Sequence, residues 1–223
     1  MLLVCNEPAE HYEIWSCSEL DKTLSGRLMV HHATFDGNLL GCWEQDATIE
    51  KDSAVCLLAI PREAMKVVDA LHEYLWIGFE APDCQSDGQL VGQLDGQLEN
   101  RYFLVDICDY QNLKLQNGKV QLVRSTWDGT VLTVVLRADT YVMSVHLQVP
   151  DAKVSFSDND FDLDPGREKT VAVRFAQAKG LEDAVQVGQA AGLEETVLCI
   201  EGRNVHRVVH PLCRLLQNEA GRS

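Results

Sequence analysis

Alternation with a period of two is the feature that most restricts this chain. Tyr141, Met143, Val145 and Leu147 are interleaved with Val142, Ser144, His146 and Gln148. Val171, Val173 and Phe175 are interleaved in the same way with Ala172, Arg174 and Ala176. Successive side chains of a strand point to opposite faces, so such segments build one apolar face and one mixed face. Gly26 to His31 runs through Phe35-Asp36-Gly37-Asn38 into Leu39 to Glu44. Two apolar runs joined by Asp-Gly predict a β-hairpin. Ala54–Ile60, Leu75–Glu80, Arg101–Val105, Lys119–Val123, Val131–Arg137 and Val197–Ile200 are further strand candidates, and Thr126 to Thr130 is a turn. Short strands punctuated by Gly and Asp turns, with no βαβ alternation, point to antiparallel sandwiches.

Two stretches break the pattern. Ala64, Val67, Val68, Leu71 and Leu75 recur at helical spacing behind Pro61, which predicts one short helix. Residues 84–100 repeat Gly-Gln-Leu three times and predict an extended surface loop. Residues 177–196, rich in Ala, Gly, Gln and Glu, predict a loop with a short helix, and Asn204 to Leu216 an amphipathic tail.

At 223 residues, 46% of them hydrophobic, the chain can fill two cores. Asp109–Leu115 reads as the junction between them. The expected organisation is a sandwich over residues 1–112, a second over 113–203, and a partly helical tail over 204–223. A net charge of −15, with only 19 basic residues spread along the chain, argues against nucleic acid and anionic membrane as partners. No apolar run reaches the ~18 residues of a membrane span, and Met1-Leu2-Leu3-Val4-Cys5 lacks the pattern of a signal peptide. We therefore expect a soluble chain. Eight cysteines, none in a C-x-x-C pair and several inside apolar runs such as Ala54 to Leu58, read as small buried hydrophobes of a reducing, cytoplasmic compartment.

The segment Phe156-Ser157-Asp158-Asn159-Asp160-Phe161-Asp162-Leu163-Asp164-Pro165-Gly166-Arg167-Glu168-Lys169-Thr170-Val171 resembles a signature, F-S-D-N-Y-F-D-L-x-P-G-E-x-K-x-V. That signature marks the C-terminal immunoglobulin-like domain of β-mannosidase-type enzymes in glycoside hydrolase family two. Asp160 stands where an aromatic is usual, Asp164 where an apolar residue is common, and Arg167 is inserted before Glu168. Tyr12 to Cys17, Leu24 to Leu28, Phe35-Asp36-Gly37 and Trp43-Glu44 are similar to the sandwich that follows the barrel in these enzymes. Asn100 to Phe103, followed by Leu113 to Leu115, resembles the junction of their last two domains. The resemblance covers about residues 10–176. It implies an all-β fold of two immunoglobulin-like sandwiches in tandem. It also implies a parent that hydrolyses terminal β-mannosides or related β-glycosides with two carboxylates, neither of them in this chain.

Asn6-Glu7-Pro8 is similar to the acid/base segment at a barrel strand end of retaining glycosidases. Such enzymes need a second carboxylate about 5–5.5 Å away, and a (β/α)₈ barrel takes roughly 250 residues, which residues 1–5 do not supply. Asp158, Asp160, Asp162 and Asp164 with Glu168 hint at a calcium loop, but the central Gly and late Glu of an EF-hand are missing; short polar side chains holding a turn explain them better. His206, His210 and Cys213 share a face if helical and offer a zinc set, which Pro211 interrupts. His31 and His32 point to opposite faces of a strand and form no joint site. Of Trp15, Trp43, Trp76 and Trp127, Trp76 is expected in the core and Trp127 is the best candidate for an exposed sugar platform.

We accordingly expect a non-catalytic accessory region that is inactive alone, with no catalytic, cofactor or metal residues and no cofactor. Its partner would be the catalytic barrel of a glycosidase. A stand-alone carbohydrate- or protein-binding module is the alternative.

Overall fold

The computed structural model describes residues 2–8, 10–81, 97–150, 152–176 and 196–216. The chain divides into two compact units, Met1–Lys114 and Leu115–Ser223. Both are built almost entirely from antiparallel strands, in four sheets.

The first unit contains β1 (Leu2–Asn6), β2 (His11–Ser18), β3 (Leu24–Thr34), β4 (Leu39–Ile49), β5 (Ser53–Pro61), β6 (Glu73–Glu80) and β7 (Gln97–Phe103). One sheet has the order β1-β2-β5 and the other β4-β3-β6-β7. Leu3, Ile14 and Ile60 from the first sheet share a core with Leu28, Val30, Leu75, Ile77 and Phe79 from the second. The predicted hairpin is present: Ala33 opposes Leu39, Gly37 supplies the positive φ of 93°, and its amide donates to the Thr34 carbonyl at 3.0 Å. Thr34 and Asp36 hydrogen-bond side chain to side chain, and that bond holds the Asp36 carboxyl below its ordinary range. Phe35 is fully buried in a stack on Tyr74, ring centroids 5.3 Å apart.

The helix expected between Pro61 and Leu75 does not form; Pro61–His72 is a chain of tight turns. Ala64 N–H bonds the Pro61 carbonyl at 2.9 Å, and His72 N–H bonds the Asp69 carbonyl at 2.8 Å. The reason is Glu73. Its Oε1 accepts the Val68 and Asp69 amides at 3.1 and 2.8 Å, which in a helix would belong to carbonyls four residues back. Adjacent β-branched Val67 and Val68 also lower the helix propensity of the stretch slightly. Met65 fills the core instead, and Val68 is 89% exposed.

Most of the Gly-Gln-Leu loop lies outside the described residues, as does Cys84. Its last residues, Gln97–Asn100, belong to β7, in register with β6 from Ile77 to Glu80. Of the expected loop and short helix at 177–196, residues 177–195 also lie outside the described residues.

The second unit contains β8 (Val120–Trp127), β9 (Val131–Ala138), β10 (Val142–Gln148), β11 (Val154–Phe156), β12 (Phe161–Leu163), β13 (Glu168–Phe175), β14 (Val197–Gly202), β15 (Val205–Pro211) and the short helix α1 (Leu212–Leu216). Its sheets have the orders β11-β13-β9-β8 and β12-β10-β14-β15. Leu132, Val134, Leu136, Val171 and Val173 meet Val145, Leu147, Leu198 and Ile200 in one core, which Leu212 and Leu215 of α1 join. The alternation read through Tyr141–Leu147 is interrupted: the register shifts between Val142 and Val145, and Ser144 takes a φ of 53°. Val142 therefore enters the core on the same side as Val145 and Leu147. The segment expected as an amphipathic tail is mostly strand, because Val205, Val208 and Val209 pair with Gly202, Ile200 and Cys199 of β14.

Cys5, Cys17, Cys42, Cys56, Cys108, Cys199 and Cys213 are free thiols. Only Cys199 among them is buried; Cys17, Cys42, Cys56 and Cys108 are exposed, which corrects the expectation of buried hydrophobes. Among the described residues no helix is long and apolar enough to cross a membrane.

Candidate functional site

The signature segment is a loop braced by side chains. Asn159 acts in place of a strand residue: its Oδ1 accepts the Leu147 amide at 2.7 Å, and its Nδ2 donates to the Leu147 carbonyl at 2.9 Å. Asp162 takes the Tyr141 hydroxyl on Oδ2 at 2.6 Å and the bulged Ser144 amide on Oδ1 at 2.8 Å. Asp158 pairs with Lys169 at 2.7 Å, and Lys169 lies over the Phe161 ring. Asp160, with φ 59°, faces His146 Nδ1 at 2.8 Å. Ser157 bonds Ala172 twice, amide to carbonyl at 2.8 Å and Oγ from amide at 2.9 Å. Gly166 turns the chain with φ 73°, its amide on the Ala138 carbonyl at 2.9 Å.

These acids diverge rather than converge. Asp158, Asp160 and Asp162 each serve a different strand or side chain, which is how short polar residues fix a turn. The segment's chemistry is architectural: it fastens β12 to β10 and steers the chain into β13.

Glu7 of Asn6-Glu7-Pro8 follows an edge strand of the first unit, where its carboxylate meets Arg62 at 2.9 Å. Tyr12 and Cys5 lie close by. Burial, then Glu7, pushes the Cys5 thiol up to about 12, and the same causes raise the Tyr12 and Tyr102 hydroxyls. Glu7 is thus the counter-ion of Arg62, among groups that stay protonated.

His206 and His210 stand on a strand, where four residues span about 13 Å, so they cannot ligate one ion. His210 is half-buried, and that burial lowers its pKa. Trp76 is buried as expected, its Nε1 donating to Glu99 at 3.3 Å. Trp127 packs edge-on against Phe175, with centroids 5.8 Å apart, and is half-buried, so it offers no open platform. Trp15 and Trp43 are half-buried too; Trp15 Nε1 bonds Glu13 at 2.9 Å.

Two groupings were not anticipated from sequence. His32 and Glu73 form a buried pair at 2.7 Å, their side chains 2% and 4% exposed. His31, Cys42 and Glu44 gather on the outer face of β3 and β4. The hairpin carried the signal for the second: a turn at Asp36-Gly37 sets His31 opposite Cys42.

Residues 115–191 match the Ig_mannosidase family, an Ig-fold domain. That stretch contains the whole Phe156–Val171 signature, so an Ig-like domain linked to mannosidase-type glycoside hydrolases is present here. No curated protein sequence matches the chain. Among solved structures, the β-D-mannosidase of Dictyoglomus thermophilum superposes on 92% of this chain with a TM-score of 0.63 at 17% identity. The exo-chitosanase of Amycolatopsis orientalis superposes on 94% with a TM-score of 0.56 at 16% identity. This chain spans 22% and 26% of those two proteins. At such identities the likeness is one of fold: a largely β-sandwich chain of a kind found in glycosidases.

Proposed function

We propose that this chain is the non-catalytic C-terminal region of a β-mannosidase-type glycoside hydrolase, two immunoglobulin-like sandwiches in tandem that buttress a catalytic barrel. The observation that carries this reading is the Ig_mannosidase match over residues 115–191, on a chain whose fold recurs as about a quarter of two glycosidases. The parent would hydrolyse terminal β-mannosides or related β-glycosides. The braced loop suits the role, since Asn159, Asp162 and Asp158 are engaged in fastening the loop to Leu147, to Tyr141 and Ser144, and to Lys169. The exposed free thiols at Cys17, Cys42, Cys56 and Cys108 support a reducing compartment. A stand-alone carbohydrate module would need an exposed aromatic row, and the four tryptophans are buried or half-buried.

The test is direct. The purified 223-residue chain should not cleave a chromogenic β-mannoside, and should restore activity when added to a matching barrel fragment. Turnover by the chain alone that survives repurification would overturn the proposal.

A further inference from the structure

We propose that His31, Cys42 and Glu44 form a binding site for one zinc ion on the outer face of the β3–β4 hairpin. The inference stands apart from the glycosidase reading.

Register creates the site. His31 and Cys42 are directly opposed across the two strands, and Glu44 lies two residues further along β4 on the same face, opposite Met29. The donor atoms of the three residues lie within 4.8 Å of one another. With Zn–N of about 2.0 Å and Zn–S of about 2.3 Å, tetrahedral donors stand roughly 3.5 Å apart. Small χ rotations of surface side chains cover the difference. An imidazole, a thiolate and a carboxylate are donors that zinc takes together, with a fourth position left to water.

The surroundings already orient the ligands. Cys42 Sγ donates to Glu44 Oε1 at 3.6 Å, so the thiol proton occupies the place the metal would take. Arg27 holds the other oxygen, Oε2, with Nη2 at 2.5 Å and Nε at 3.2 Å, which fixes the carboxylate and leaves Oε1 facing the thiol. Supporting contacts of this kind orient metal ligands. On the far side, the Trp76 ring lies against His31 with centroids 5.0 Å apart, restricting the imidazole.

The balance is simple. Zn²⁺ replaces the Cys42 thiol proton, which leaves to solvent; thiolate and Glu44 carboxylate offset the ion's two charges, and with Arg27 paired to Glu44 the cluster carries one net positive charge.

The experiment uses the chelator-stripped chain and two probes, Zn²⁺ in competition with a chromogenic chelator, and Co²⁺ for its thiolate-to-metal charge-transfer absorption. One site per chain is expected. The absorption should vanish in Cys42→Ser and persist in Cys17→Ser, an exposed cysteine of the other sheet. His31→Gln and Glu44→Gln should each weaken binding about tenfold or more. Cys42 and Glu44 are exposed and His31 is half-buried, and unchanged circular dichroism confirms folding of the variants. The proposal is overturned if the wild-type chain shows no charge-transfer absorption, or if that absorption survives Cys42→Ser. It is equally overturned if both His31→Gln and Glu44→Gln leave the affinity unaltered, because a single thiol would then account for the metal.

Discussion

Replacing Asn159 by Ala removes both hydrogen bonds to Leu147, a fully buried residue of β10. The loss leaves one backbone donor and one acceptor without their partner at the edge of a core. A buried polar group stripped of its partner costs about 1–3 kcal/mol. Asn159 is itself half-buried, so water can reach part of the gap, and the sum should fall near 2–4 kcal/mol. For a unit of about 100 residues this lowers Tm by on the order of 10–20 °C. Hydrogen exchange with mass spectrometry is the assay of choice, because it reads β10 and β13 separately from the first unit, where Trp15, Trp43 and Trp76 dominate fluorescence. Asn159→Asp sharpens the test. The carboxylate can still accept the Leu147 amide but faces the Leu147 carbonyl with a negative charge where Nδ2 donated. It should be less stable than Asn159→Ala at neutral pH. Its folded-state pKa is raised by that contact, so the deficit should shrink as pH falls below this value and the acid becomes a donor. A cost under about 0.5 kcal/mol for Asn159→Ala, or an Asp variant as stable as wild type, would refute the role of Asn159 as a substitute strand residue.

Glu73→Ala should destabilise the first unit by roughly 3–5 kcal/mol in urea denaturation, since it strands buried His32 and two backbone amides, and Glu73→Gln should cost less. Gly78→Ala places a Cβ 2.1 Å from the Trp76 ring, so the indole must move. A loss of about 1–3 kcal/mol and a shift in tryptophan emission are expected. Alkylation at pH 8 should modify exposed Cys17 well before Cys5, whose thiol is pushed up to about 12, as peptide mass spectrometry would show. The same shift predicts that the first unit loses stability as pH rises from 9 towards about 12, because the unfolded thiol releases its proton before the folded one does.

Much of the fold was legible because a period of two has one physical meaning. The hairpin around Asp36-Gly37 and strands β9 and β13 follow from it directly. The errors arose where local pattern and distant partner disagreed. Ala64, Val67 and Leu71 have helical spacing, yet Glu73 captures the Val68 and Asp69 amides. His206 and His210, four apart, share a face on a helix and on a strand alike, and only the pairing of β15 with β14 separates the two. The bulge at Ser144 depends on Asp162, a contact no local window contains. The signature was recognisable as turn-forming, but its principal partner, Leu147, was not. His31 and Cys42 were within reach through hairpin register, a step the sequence supports once the turn is placed.

The order of strands in the second unit has a consequence for how it is made. β14 lies between β10 and β15, so an interior strand of that sheet comes from residues 197–202. During synthesis β10 emerges early and must wait for a partner translated later. Until then one flank of β10 offers unpaired amides and carbonyls to any neighbouring strand. The slow step should therefore be the long-range closure of β14 onto β10. A chain ending before residue 197 would carry the recognisable signature and still be a sandwich with its seam open.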